Sequence, residues 1–120
     1  MNKEFIPYEQ ALELKELGFD EPVLARYFND GKGFVYSNSP TFKDSTIAAP
    51  LYQQAFRWFR EKYDLHVYVD SMRLTTGETV YDYVIIITDG EESDDGKNWR
   101  TYEEAELACL RELIKIAKQI

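Results

Sequence analysis

A chain of 120 residues, 44% apolar and 15% aromatic, is long enough to close a hydrophobic core without disulfides or a structural metal. Its single cysteine excludes an internal disulfide and every zinc site that needs two or more thiolates. Fourteen basic residues against twenty-two acidic ones leave a net charge of −8, which opposes binding to a phosphate backbone, where Lys and Arg supply the affinity.

In chain order, the first element is a helix with Pro7 as an early helical position and Gly18 just past its end. Ala11, Leu14 and Leu17 share one side of it, while Glu9, Glu13 and Glu16 form an acidic stripe on the other. A short strand at Leu24–Phe28 follows, then the turn-forming run 29–33 and a second strand near Phe34–Ser37. Ser37 to Ser45, with Pro40 inside it, reads as loop.

A second helix is expected from near Pro50 to about Tyr63, because Tyr52, Ala55, Phe56, Phe59 and Tyr63 recur at helical spacing. His66–Met72 and Val80–Thr88 read as an antiparallel pair across the turn 74–78. Val84 to Ile87 is apolar at both parities, the pattern of a central strand covered on both faces. Thr101 and Glu104 fit a capping box, and the last helix runs from there to about Lys118. The order helix, hairpin, helix, hairpin, helix predicts one α+β domain, with helices packed on an antiparallel sheet of about four strands. Residues 89–98 are expected to be an acidic flexible loop within it.

Much of the negative charge lies between residues 74 and 98, where seven acidic residues face one lysine. Asp89, Glu91, Glu92, Asp94 and Asp95 place five carboxylates within seven residues. Hard cations take oxygen ligands, but an EF-hand would need glycine where Asp94 stands and glutamate where Arg100 stands. A solvated, self-repelling loop is the simpler reading. No apolar stretch marks a signal peptide or a membrane span, so the expected location is a reducing bacterial cytoplasm.

Three stretches together resemble a known group: residues 5–12 running on to Gly18-Phe19-Asp20-Glu21-Pro22, residues 49–63, and residues 102–110. They are similar to a family of short uncharacterised proteins encoded by phages and prophages of Bacteroidetes. The resemblance implies a phage-type accessory protein in the host cytoplasm. It carries over no catalytic residue. Val23 stands after the Glu-Pro pair, where members of that family often have a cysteine, so a redox or metal role at that position is absent.

The residues themselves leave few openings for chemistry. Cys109 falls on the apolar face of the last helix, where a core thiol is inert. His66 is the sole candidate base, with nothing in its neighbourhood that orients it. Glu106 breaks the pattern of its helix, because it lies inside the apolar arc, and a carboxylate there must be paired, protonated or led to solvent. Trp58 lies on the same helical line as Leu51, so the pair is either an exposed contact surface or a widening of the core face. The wide apolar arc of the last helix leaves room for a partner subunit.

The expectation is therefore a non-enzymatic protein-binding factor, with Leu51 and Trp58 at the contact and a homodimer among its forms. Acidity suits a basic host protein, and in a narrower version the acidic faces imitate DNA. The alternatives are a small enzyme or small-molecule binder with a pocket near Glu106 or His66, and a self-associating structural protein. No cofactor, metal, membrane or nucleic acid is expected as a ligand.

Overall fold

The computed structural model describes residues 3–36, 45–87, 92–93 and 98–120. The element order is α1 (Tyr8–Glu16), β1 (Arg26–Phe28), β2 (Phe34–Val35), β3 (Thr46–Ala48), α2 (Tyr52–Tyr63), β4 (His66–Arg73), β5 (Thr79–Ile86), β6 (Glu92–Ser93) and α3 (Tyr102–Lys118). The class is α+β, as expected. The strands form two antiparallel sheets of three, ordered β2-β1-β3 and β4-β5-β6, where one sheet of about four was expected. β3 pairs with β1 on the edge opposite β2, and no described strand of the first sheet pairs with one of the second. The backbone divides into two compact units, Met1–Ala55 and Phe56–Ile120.

In the first unit, α1 begins one residue later than expected: Pro7 is the N-cap, with ψ of 161°, and its carbonyl accepts from Ala11 N–H. The helix ends in a Schellman motif. Gly18 takes φ of +100°, its N–H donates to Lys15, and Phe19 N–H donates to Leu14. Ala11 and Leu14 are buried, together with Gln10. The sheet rests on Phe5, Ala25 and Ala49, with Tyr27, Phe34 and Leu51 packed against them. Phe34 meets Phe5, Tyr27 and Tyr36 edge to face at centroid distances of 5.1–5.3 Å. Tyr27 Oη donates to the Ile6 carbonyl at 2.8 Å, and Arg26 Nε donates to Thr46 Oγ1 at 2.5 Å. The Phe28 ring packs directly over Gly33, where a Cβ could enter only by displacing it.

In the second unit, α2 stops at Tyr63 because Asp64 turns left-handed, with φ of +57° and its N–H donating to the Arg60 carbonyl. β4 and β5 pair over eight residues, from His66↔Ile86 to Arg73↔Thr79. β6 and an isolated bridge between Tyr81 and Trp99 lie along the other edge of β5. β5 is thus central, as its sequence suggests. Tyr83 and Ile85 are buried on one face, and on the other Val80 is buried and Val84 and Ile86 half-buried. α3 packs on β5 on the side of Tyr81, whose ring meets Tyr102 edge to face. Thr101 caps α3 by accepting from Glu104 N–H, and its own hydroxyl donates to the Glu104 carboxylate. In the usual capping box, that carboxylate reaches the N-cap backbone N–H instead.

Candidate functional site

Two places on the second unit carry chemistry that packing alone does not demand. The first is the opening turn of α3. Glu106 follows Ala105 on the apolar arc and is half-buried beside Tyr102 and Glu103. Burial, with the neighbouring charge of Glu103 added, raises its carboxyl to about 7. Tyr102 is pushed up for related reasons: first burial, then the charges of Glu106 and Cys109. Among the described residues no hydrogen bond or ion pair holds the Glu106 side chain. The group can therefore keep or release a proton near neutrality.

The second place is the β4–β5 hairpin. Even-numbered residues of β4 and β5 share one face: His66, Tyr68, Asp70 and Met72 beside Ile86, Val84, Asp82 and Val80. α3 covers the opposite face. On the even face Tyr68 is 49% and Met72 54% exposed, while Asp70 stands opposite Asp82 in register. No Lys or Arg occupies an even position on either strand.

The hydrogen-bond phase of the ladder fixes what the edge of β4 presents. Tyr81 exchanges both backbone bonds with Trp99, at 2.7 and 2.8 Å, so the odd residues of β5 bond away from β4. In an antiparallel pair the bonding side alternates with each residue, so the even residues of β5 bond the even residues of β4. Val67, Val69, Ser71 and Arg73 consequently turn their N–H and C=O groups outward. Asp70 Oδ1 accepts the Ser71 N–H at 2.9 Å, covering one of these outward donors.

Several sequence expectations are corrected here. Leu51 does not lie on α2: it is the bridge partner of Phe5 and packs in the core of the first unit, so helical spacing does not join it to Trp58. Trp58 is 7% exposed, with Phe59 at 5.1 Å, Tyr63 at 5.7 Å and the Lys62 ammonium 4.9 Å from its ring centroid. It is a core residue and offers no contact surface. Most of the wide arc of α3 is taken up inside the chain, with Ala105, Cys109, Leu110, Leu113, Ile114 and Ala117 buried and Leu107 and Ile116 half-buried.

Of the acidic stripe, Glu9 and Glu16 are exposed and Glu13 is half-buried. Glu91, Asp94 and Asp95 lie outside the described residues, and of Glu92 the structure gives only its backbone, in β6. His66 does have an orienting group: Asp64 Oδ1 stands 2.8 Å from its Nε2, on the solvent side. The left-handed Asp64 at the end of α2 is the signal that sequence reasoning missed. His66 belongs to the sheet face opposite the one that meets α3, so the fold brings it to neither Glu106 nor Cys109.

No protein-family model, curated protein or solved structure matches this chain.

Proposed function

We propose that this chain is a phage-type accessory protein that works by binding a basic host protein, without catalysis, through the even face of the β4–β5 hairpin. The observation that carries this reading is the pairing of Tyr68 and Met72, both about half-exposed, on one face of one strand. Aromatic and Met side chains are enriched at protein interfaces, the aromatics because they bury much area at modest cost in entropy, Met because it is polarizable and adapts its shape.

Of the other exposed large apolar residues, Leu24 and Ile120 lie outside the helices and strands, whereas the rest pack within the chain. Tyr36 packs on Phe5 and Phe34, Phe28 covers Gly33, and Tyr102 packs on Tyr81. Charge supports the choice of partner: Asp70 lies between the exposed pair on β4, Asp82 stands opposite it on β5, and the whole chain carries −8. Such a surface repels acidic proteins and speeds encounter with basic ones.

The test compares capture from lysate of a Bacteroidetes host by the immobilised chain and by a Tyr68→Thr/Met72→Thr variant. Threonine keeps the strand preference while removing the apolar surface. The expected result is a basic protein held at low salt by the parent chain and lost in the variant at unchanged melting temperature. Equal capture by both would overturn the reading.

A further inference from the structure

We infer that the partner engages β4 as an extended, basic segment that adds to its outer edge as a fourth strand of the sheet. This rests on the binding surface proposed above and names the manner in which that surface is used.

Three observations support strand addition. β4 is eight residues long, whereas the other sheet edges among the described residues are strands of two or three: β2, β3 and β6. Long edges invite pairing, and proteins usually blunt them with proline, lysine, a bulge or shortness. β4 has no proline or lysine, and its register with β5 is unbroken. The backbone groups of Val67, Val69 and Arg73 point outward, ready to bond a neighbouring strand.

The two faces of β4 then specify the partner's alternation. On the α3 side, half-buried Val67 and Val69 would be flanked by apolar residues of the incoming strand. On the even side, Asp70 would meet its basic residues, with Asp82 one strand further in adding to the negative charge of that face. In an antiparallel arrangement the residue opposite Asp70 sits in a non-hydrogen-bonded pair, where side chains approach most closely. The Asp70 carboxylate would change partners on binding, since an incoming carbonyl takes over the Ser71 N–H and frees it for a lysine or arginine. A second copy of the chain fits poorly. Two-fold pairing through β4 would gather Asp70 and Asp82 of both copies on one face, between molecules each carrying −8.

The probe is an acetylated and amidated peptide of four Lys-Val repeats, titrated against the full chain with residue-resolved amide exchange. A Glu-Val peptide and a Lys-Val peptide with a central proline serve as controls. The expected result is saturable binding by the Lys-Val peptide alone, with new protection at Val67 and Val69. Asp70→Asn should weaken it by about two- to fivefold, the size of one cross-strand charge pair, and reduce its salt dependence.

Protection elsewhere, equal binding of all three peptides, or no saturation overturns the inference. Protection of β4 that rises with chain concentration alone would assign the edge to a second copy, and also overturns it. If the Tyr68→Thr/Met72→Thr variant loses lysate capture while the peptide leaves β4 unprotected, strand addition falls and the binding surface stands. If that variant captures normally, the surface itself is wrong.

Discussion

Glu106 is where a single side chain most clearly departs from what its helix needs. Its carboxyl is raised to about 7 in the folded chain, whereas in the unfolded chain it returns to an ordinary value near 4.5. The folded state therefore holds this proton more tightly. The associated stability is present below about pH 4 and is lost as pH rises through 7. Glu106→Gln keeps the shape and removes the charge. Its melting temperature should match the parent at pH 4 and exceed it at pH 8, the gap widening in between. The side chain is only half-buried, so solvent screening keeps the gain below what the shift alone implies. An equal difference at both pH values would show that proton linkage is not the cause. Trp58 makes the opposite case, a residue whose chemistry suggests an interface and whose position is core. Trp58→Ala should destabilise the chain by about 3–5 kcal/mol in denaturant titration, the usual cost of emptying a buried aromatic site. A stable Trp58→Ala chain with altered binding would instead restore it to the surface.

Among the elements, the helices, the long hairpin and the short β1–β2 hairpin were legible, and β3 and β6 were not. α1, α2 and α3 announce themselves through apolar recurrence at three and four residues, and Gly18 and Thr101 mark two of their ends by chemistry. The cap of α3 is specific enough to test: Thr101→Ala should cost about 1 kcal/mol in thermal or denaturant unfolding, while Thr101→Ser should cost little. β3 and β6 have three and two residues, too few for alternation to register. Their existence depends on distant partners, β1 and β5.

The surface proposed for binding was hidden for a related reason. Alternation along β4 separates Tyr68, Asp70 and Met72 from Val67 and Val69, but it does not say which set α3 covers. Helical spacing pointed instead to exposed apolar surface at Leu51 and Trp58. The half-exposed pair lies on a strand, because the helical arcs are largely consumed inside the chain. Glu106 was legible from its wheel position, although the neighbouring Glu103, which helps to raise its carboxyl, was not singled out.

For the molecule as a whole, two three-stranded sheets with short strands on three of their described edges leave one long edge, and that edge lies in an acidic chain. The charge that argues against nucleic acid as a ligand also selects among proteins, and like charge on like chain disfavours pairing of copies through β4. No helix among the described residues is long and apolar enough to cross a membrane. The central claim is that β4 presents an open edge. Residue-resolved amide hydrogen exchange of the free chain, at two protein concentrations, tests it without a partner in hand. An open edge predicts slow exchange at Tyr68 and Asp70, which bond to β5, and fast exchange at Val67 and Val69, the same at both concentrations. Slow exchange at all four positions would contradict it, because another segment or a second copy would then already occupy the edge.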